Sequence, residues 1–220
     1  MIEVKNVRKS YGNLEVLKGV DLSVEGGKLI GILGKSGTGK STLLHILGTL
    51  DKPDSGEIFI DGKNLFALDN TRLAQFRNEN IGFVFQFHHL LSEFTALENV
   101  AIPALIRKTD RKTAHRKAEK LLEYLGLKDR IHHKPEQMSG GEQQRVAVAR
   151  ALVNDPLVVL ADEPTGNLDT TTSKDMHQLF VNLRDDLNIT FIIVTHNADL
   201  GQLCDYRYEM KDGLLHQSAI

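Results

Sequence analysis

The chain has 220 residues with 41% hydrophobic and 25% charged side chains, the profile of a soluble globular protein with one large domain or a domain with a subdomain. Its formal net charge of −2 argues against a broad nucleic-acid-binding surface, and its single cysteine, Cys204, excludes an internal disulfide or a cysteine zinc cluster. Because no apolar run is long enough to span a membrane and residues 1–10 lack the apolar core of a signal peptide, we expect a cytosolic protein.

The N-terminal part predicts short strands joined by turns. Apolar and polar residues alternate in the first strand, and the later strands include short apolar runs. One turn is expected at Tyr11-Gly12 and another at Asp61-Gly62. The predicted strands cover residues 2–7, 16–24, 29–33 and 57–60, and a predicted helix covers residues 41–50.

A glycine-rich segment lies between the third strand and this helix and fits the pattern G-x-x-x-x-G-K-[ST]. Its glycines let backbone N–H groups point inward at phosphate oxygens, and the helix N-terminus adds further donors. Lys40 is predicted to reach the β- and γ-phosphates, and the Ser41 hydroxyl to bind Mg²⁺. The segment consists of Gly34, Lys35, Ser36, Gly37, Thr38, Gly39, Lys40, Ser41 and Thr42. A strand, a glycine loop and a helix in this order predict a nucleotide-phosphate site.

Helical periodicity replaces strand periodicity from about residue 71 to residue 150. Residues 111–124 predict a charged helix with one apolar face. Strand patterns return at residues 157–162 and 190–195, with a predicted helix over residues 172–187 between them. A strand–helix–strand unit is typical of a parallel sheet covered by helices. The sequence therefore predicts an α/β core with a helical insertion.

Two carboxylates, Asp162 and Glu163, follow the apolar run at residues 157–161. Ligands of open α/β sheets lie at the carboxyl ends of the strands. Asp162 therefore fits a residue that holds Mg²⁺, and Glu163 fits a general base for an attacking water. Two carboxylates after a strand can also form a solvated acidic turn without any ligand. The presence of the glycine-rich segment in the same chain favours the Mg²⁺ and general-base roles.

A glycine pair opens a helix after Met138. Ser139 suits the N-cap of that helix, and Gly140 and Gly141 let an anion approach the backbone N–H groups at its N-terminus. A plain helix start is the alternative, although it needs no second glycine.

The order of these motifs resembles that of the ATP-binding-cassette ATPases over essentially the whole chain, with His196 after the last apolar strand completing the pattern. The resemblance implies a RecA-like P-loop NTPase core with a parallel sheet, an N-terminal antiparallel β region and a helical subdomain insertion. It implies one ATPase domain over residues 1–220, in which residues 1–86 and 155–220 form the nucleotide-binding core and about 87–154 the helical subdomain.

The same resemblance implies ATP and Mg²⁺ as ligands and assigns roles to single residues. Gln86 is expected to contact Mg²⁺ and the attacking water, Tyr11 to stack on adenine, and His196 to contact the γ-phosphate. For an isolated tyrosine or histidine, packing is the more common role.

A head-to-tail homodimer is also implied, in which Ser139, Gly140 and Gly141 bind the nucleotide held by the other subunit. Residues 167–169, including Asp169, are expected to cross to that subunit. Glu142 departs from the family pattern, since many members carry glutamine there, so the contact rests on Ser139, Gly140 and Gly141.

Within the family, residues 86–100 and 163–169 look like those of the lipoprotein-releasing ATPases of the bacterial inner membrane. This similarity implies a homodimer on the cytoplasmic face of that membrane, bound to integral membrane subunits. The alternatives are the ATPase of a macrolide- or peptide-type exporter and that of a cell-division regulator. The formal net charge of −2 does not support a third alternative, a cassette that acts on DNA or ribosomes. The apolar residues expected to contact the membrane subunits, unless they are subdomain core, are Phe87, Leu90, Leu91 and Phe94.

Overall fold

The computed structural model describes residues 1–218, which form two β-sheets with helices around them. The strands are β1 (Ile2–Tyr11), β2 (Leu14–Val24), β3 (Leu29–Leu33), β4 (Ser55–Ile60), β5 (Lys63–Asn64), β6 (Ile81–Phe85), β7 (Val158–Asp162), β8 (Thr190–Thr195), β9 (Tyr206–Lys211) and β10 (Leu214–Ser218). The α-helices are α1 (Lys40–Leu47), α2 (Asn70–Asn80), α3 (Ala96–Ile106), α4 (Arg111–Tyr124), α5 (Gly140–Leu152), α6 (Thr170–Leu187) and α7 (Ala198–Gln202). Short 3-10 turns cover Leu65–Ala67, Lys128–Arg130 and Pro135–Gln137.

The smaller sheet is antiparallel, with the strand order β2-β1-β4-β5. Its first hairpin reverses one residue later than predicted, because Tyr11 still belongs to β1 and pairs with Leu14. The chain turns at Gly12, whose φ is 60°. Glycine adopts this left-handed conformation without a steric penalty.

The larger sheet has the order β10-β9-β3-β8-β7-β6, and all its strands except β10 run parallel. The carboxyl ends of the parallel strands meet at one edge, where Leu33 pairs with Thr195 and Phe85 pairs with Asp162. The residues that follow these strands are thereby brought to one place.

Both faces of the larger sheet are covered, which is why its central strands read as continuous apolar runs. On β8, Ile192 and Val194 belong to the core shared with α1 and the antiparallel sheet. Phe191 and Ile193 belong to the other core, which contains the buried residues of α3, α4, α5 and α6. Alternate side chains of one strand therefore stabilise both halves of the fold.

The helix after the glycine-rich segment ends at Leu47, three residues before the predicted end at residue 50. Gly48 is its C-cap, and Thr49 follows with a φ of 58°. A Cβ on Gly48 would lie 2.1 Å from the ring of Phe83, so only glycine fits where α1 meets the sheet. Leu50 therefore lies beyond the end of the helix.

Sequence periodicity missed β6, which lies in the part predicted as helical, and it also missed β9 and β10. A short apolar run such as Ile81–Phe85 is compatible with a strand or with a buried helix segment. In the structure this run is a strand that packs closely against α5. A Cβ on Gly82 would lie only 2.4 Å from the carbonyl oxygen of Ala151 on that helix. No helix within residues 1–218 has both the length and the apolar character to cross a membrane.

Candidate nucleotide site

A cleft of about 850 Å³ opens at the carboxyl edge of the parallel sheet. Eleven of the predicted site residues line it: Tyr11, Ser36, Gly37, Gly39, Lys40, Ser41, Thr42, Gln86, Asp162, Glu163 and His196. The other residues of the glycine-rich segment belong to the same loop without lining the cleft. The residues that the resemblance assigns to a second subunit lie outside the lining: Ser139, Gly140, Gly141, Glu142 and Asp169.

The glycine-rich loop is wrapped around the side chain of Lys40. The ammonium group donates hydrogen bonds to the carbonyl oxygens of Gly34 (2.8 Å) and Lys35 (2.9 Å), and the residue is 7% exposed. An ammonium group has three donors, so one is left for a ligand. Gly39, the N-cap of α1, has a φ of 104°, and a Cβ there would lie 3.1 Å from the carbonyl oxygen of Val16. The left-handed backbone conformation therefore favours glycine at this position, where a side chain would also be a tight fit.

Asp162 and Ser41 form an oxygen pair at the floor of the cleft. The Ser41 hydroxyl donates a hydrogen bond to Asp162 Oδ1 at 3.1 Å. Burial raises the pKa of the Asp162 carboxyl, while the bond from Ser41 and the nearby His45 and Lys40 oppose this shift. A carboxylate and a hydroxyl are the hard oxygen ligands that Mg²⁺ prefers, so the pair fits that ion.

Glu163 follows β7 with a left-handed backbone, at a φ of 45°. A non-glycine residue in such a conformation costs about 1–3 kcal/mol and is found preferentially at functional sites. One carboxylate oxygen accepts hydrogen bonds from the Thr195 hydroxyl (3.1 Å) and the His196 backbone N–H (3.3 Å). The other oxygen lies 2.9 Å from His196 Nδ1. The carboxylate is therefore held from two sides next to the cleft.

The contact between Glu163 and His196 restricts the tautomer of the histidine. If the carboxylate accepts the bond, Nδ1 is the donor, and a neutral imidazole then has no proton on Nε2. His196 can donate from Nε2 to a phosphate oxygen only if the ring is doubly protonated or the contact with Glu163 breaks. The two side chains therefore act as a linked pair.

Gln86 connects the end of β6 to the loop that follows Glu163. Its side-chain amide donates to Asn167 Oδ1 at 3.0 Å, and the Asn167 amide donates to the Gln86 carbonyl oxygen at 3.1 Å. A Cβ on Gly166 would lie 2.8 Å from Gln86 Nε2, so glycine permits this approach. A movement of Gln86 is therefore coupled directly to residues 163–169.

Tyr11 lies at the rim of the cleft and is 51% exposed. Its hydroxyl donates a 2.6 Å hydrogen bond to Asp51, which raises the pKa of the tyrosine, and the Lys9 ammonium lies 5.1 Å from its ring centroid. The hydroxyl is thus tethered, while half of the side chain stays accessible. This arrangement is compatible with stacking against a flat ligand.

The helix start at Ser139 is built as a capping box. The Ser139 hydroxyl accepts from the Glu142 backbone N–H (3.3 Å), and the Glu142 carboxylate accepts from the Ser139 backbone N–H (2.7 Å). Arg130 also donates to Glu142 at 2.8 Å. The backbone N–H of Ser139, followed by Arg130, lowers the pKa of Glu142. Glu142 therefore has a structural role within its own subunit.

The two residues after Ser139 differ in whether the surrounding space requires glycine. A Cβ on Gly141 would lie 2.5 Å from the Thr172 methyl group, so close packing of α5 on α6 requires glycine there. A Cβ on Gly140 would lie 3.6 Å from Leu168, which is ordinary contact distance. Asp169 is the N-cap of α6 and accepts from the backbone N–H groups of Thr171 and Thr172. The starts of α5 and α6 thus lie side by side outside the cleft.

A family model described as ABC transporter matches residues 17–166 of the chain. The lipoprotein-releasing system ATP-binding protein LolD of Porphyromonas gingivalis is 55% identical over 215 residues, which are 98% of each chain. LolD of Cytophaga hutchinsonii is 54% identical over the same share. The chain belongs to the ABC transporter family. A solved ATP-binding cassette, MJ0796, in a dimeric post-hydrolysis state with ADP and Pi bound, superposes on this ABC chain with a TM-score of 0.90 at 39% identity, covering 99% of the chain and 98% of the cassette.

The predicted family, the α/β fold with its antiparallel β region, and the identity of the chain as an ATPase are thereby confirmed. The roles of individual site residues in this ABC chain stay predictions, as does the division at residues 87–154.

Sequence analysis missed His177 on α6, which is 2% exposed in the ABC chain. Its Nε2 lies 3.2 Å from the Thr165 hydroxyl, in the loop after Glu163. Ser173, one turn earlier on α6, contacts the carbonyl oxygens of Thr165 and Leu168 at 3.4 Å. A histidine on the inner face of an amphipathic helix gives no local signal for this contact. Polar side chains of α6 therefore hold the loop after Glu163 in place.

Replacing His177 with glutamine is expected to flatten the acid side of the stability profile. Burial lowers the pKa of His177, with Asp199 opposing the shift, so the unfolded chain binds the proton more readily. Stability is then greatest above the ordinary histidine pKa of about 6.5 and falls as the pH drops towards the folded-state pKa. We expect the melting temperature of the wild-type chain to fall a few degrees more than that of H177Q between about pH 7 and about pH 5. Scanning calorimetry checks this, with exposed His132→Gln as the control, and equal pH slopes for H177Q and the wild type would contradict it.

Proposed function

We propose that this chain is the ATP-hydrolysing subunit of a bacterial lipoprotein-releasing transporter. The supporting observation is the extent of the similarity to LolD proteins, which covers 98% of both chains and is not confined to the nucleotide motifs. The surface that contacts a partner must lie outside the cleft, and it is included in this similarity. In this proposal the chain works as a homodimer, on integral membrane subunits, at the cytoplasmic face of the inner membrane.

The nucleotide occupies the cleft at the sheet edge. Tyr11 stacks on the adenine ring through its accessible face, and the backbone N–H groups of residues 34–42 surround the phosphates. Lys40 directs its third N–H donor at the β- and γ-phosphates, because its other two are used inside the loop. The loop carbonyls that hold Lys40 keep the charge in position before ATP arrives.

Ser41 and Asp162 would hold Mg²⁺ together with Gln86, which lines the same cleft. A bound Mg²⁺ would supply positive charge next to the phosphate oxygens. Gln86 bonds to Asn167, so its movement towards the cleft would shift the loop that begins at Glu163.

Glu163 accepts a proton from the attacking water, and His196 stabilises the γ-phosphate. The contact between the two residues gives each a defined orientation before substrate binds. For His196 Nε2 to donate to phosphate, the imidazole must gain a proton or release Glu163. Release of Glu163 from His196 would also free the carboxylate oxygen that the water needs.

Residues outside the cleft complete the site from a second subunit. We assign Ser139, Gly140 and Gly141 to the nucleotide of the partner subunit, with the carboxylates of Glu142 and Asp169 fixing the two helix starts. One chain has one glycine-rich loop and one such surface, so a two-fold dimer holds two nucleotides.

The segment after Gln86 carries movement to the membrane subunits. Arg150 donates to the carbonyl oxygens of His88 (2.8 Å) and His89 (2.7 Å), and fully buried Asn99 bonds both backbone groups of Leu91. The segment is therefore rigidly supported. It adjoins a groove of about 540 Å³ whose lining includes Phe83, Phe85, His89, Pro103 and Ile106.

Two neighbouring leucines in this segment have different environments. Leu90 is partly buried and packs against the core, whereas Leu91 is 48% exposed. Both were predicted to contact the membrane subunits, but the packing of Leu90 supports the alternative of subdomain core for that residue. The exposed side chains of Phe87 and Phe94 stay in the predicted contact surface.

We expect Leu91→Ser to keep the ATPase activity and melting temperature of the isolated chain but to lose co-purification with the membrane subunits and ATP-dependent lipoprotein release from proteoliposomes. Leu90→Ser is the matched variant, and it should lower the melting temperature by several degrees, because it removes packed apolar area. Unchanged release by L91S would remove that residue from the contact. A complex that hydrolyses ATP and leaves every lipoprotein in the bilayer would refute the proposed function in favour of a regulatory ATPase.

A further inference from the structure

The end of α3, the connection to α4 and most of α4 form a segment that we call the basic hairpin. It consists of residues 105–120. The hairpin contains seven of the chain's 27 Lys and Arg residues but two of its 29 carboxylates, although the chain as a whole has a net charge of −2. Its cations are Arg107, Lys108, Arg111, Lys112, Arg116, Lys117 and Lys120. Positive charge is therefore concentrated on one part of the surface.

Three of these cations form a stripe along α4. Lys112, Arg116 and Lys120 are exposed and recur every four residues, so they share one face over about 12 Å. Buried Ala114 and Ala118 lie on the opposite face. Like charges at this spacing destabilise a helix by a few tenths of a kcal/mol per pair, so the mutual repulsion of these three charges does not stabilise α4.

Little of this charge is neutralised within the described part of the chain. Lys117 pairs with Asp155 at 2.7 Å. Asp110, one of the two carboxylates, caps α4 by accepting from the Thr113 backbone N–H. Across residues 1–218 no ion pair is formed by Lys108, Arg111, Lys112, Arg116 or Lys120. Several cations of the hairpin are thus available to bind an external anion.

Apolar side chains lie at the tip of the hairpin. Leu105 is 39% exposed and Ile106 is 65% exposed, immediately before Arg107 and Lys108. Ile106 also lines the groove beside the segment proposed to contact the membrane subunits. Apolar side chains flanked by cations are typical of surfaces that enter the boundary between headgroups and acyl chains.

We infer that the basic hairpin lies against the anionic phospholipid headgroups of the membrane, with Leu105 and Ile106 entering the interface. Each Lys or Arg near an anionic leaflet contributes about 1 kcal/mol of attraction, a factor of about five in binding, so several together give measurable binding. The proposed function requires only that the chain reaches the membrane through protein subunits, so lipid binding by the isolated chain can fail while that function stands.

Co-sedimentation of the isolated full chain with lipid vesicles tests this inference. We expect binding to vesicles of phosphatidylcholine with phosphatidylglycerol, weak binding to phosphatidylcholine alone, and loss of the difference at high salt. The triple variant Lys108→Gln, Lys112→Gln, Arg116→Gln should reduce partitioning onto anionic vesicles about 10²-fold, since each cation near the surface contributes about a factor of five. Equal partitioning onto the two kinds of vesicle would overturn the inference.

A matched triple variant controls for net charge. Lys18, Lys52 and Lys211 are exposed cations outside the hairpin, and changing them to glutamine removes the same total charge. We expect this variant to keep wild-type partitioning, and an equal loss would overturn the inference. The hairpin variant should leave the melting temperature unchanged or raise it slightly, because replacing Lys112 and Arg116 relieves like-charge repulsion on α4.

An acidic segment of the membrane subunits is the competing partner. In that case the hairpin variant loses assembly of the complex in detergent while its vesicle binding matches the wild type, and the lipid inference is wrong.

Ile106→Ser adds a second measurement: it should weaken vesicle binding severalfold at constant charge. No effect of I106S would exclude entry of the tip into the interface.

Discussion

Glu163→Gln is expected to keep ATP binding and to slow ATP hydrolysis by about 10²-fold or more, the usual scale for the loss of a general base. Glutamine has the same shape and still accepts hydrogen bonds from the Thr195 hydroxyl and the His196 backbone N–H. It cannot, however, take a proton from the attacking water. The defect should therefore appear in the rate of phosphate release and not in nucleotide affinity.

Phosphate release under saturating ATP, together with a fluorescent-nucleotide titration, measures the two effects separately. Glu98→Gln is a suitable control, because Glu98 is also a glutamate held by a backbone N–H and a hydroxyl, in the capping box of α3. That variant should hydrolyse ATP at close to the wild-type rate. If E163Q releases phosphate within a few-fold of wild type, Glu163 is not the base.

The parts of the site that could be predicted from sequence are those determined by neighbouring residues. The glycine-rich loop needs its conformations and its lysine within one short segment, and Lys40 bonds to Gly34 and Lys35 in that segment. Ser139 is the predicted N-cap of α5, and the structure adds the reciprocal bond to Glu142, three residues later. Asp162 is the last residue of a buried strand and Glu163 follows it directly. Local chemistry of this kind is visible in the order of residue types.

What could not be predicted depends on contacts between distant segments. Ile81–Phe85 is a strand because it pairs with β7 and supports α5, and neither neighbour is close in sequence. Leu90 and Leu91 are adjacent and chemically identical, yet Asn99 fixes the backbone of the segment so that one packs inward and the other is exposed. His177 likewise contacts Thr165 through the fold. Periodicity carries no information about such pairs.

Ser139→Arg is expected to abolish both ATP-driven dimerisation and most hydrolysis, while the monomer still binds ATP. The starts of α5 and α6 lie outside the lining of the cleft, and in the proposed dimer Ser139 contacts the nucleotide of the second copy. An arginine side chain at this position would prevent close approach of the partner's phosphates and lose the N-cap, which costs about 1 kcal/mol.

Light scattering with ATP in the E163Q background, which traps nucleotide, measures the dimer directly. Thr95→Arg is the matched control, because Thr95 caps α3 with a glutamate three residues later, as Ser139 caps α5. The control loses an equivalent cap and gains the same side chain, so it should show a similar drop in melting temperature but still dimerise. If T95R and S139R both dimerise with ATP, or if the wild-type chain hydrolyses ATP at full rate as a monomer, the nucleotide is not enclosed between two copies and Ser139 has only its capping role.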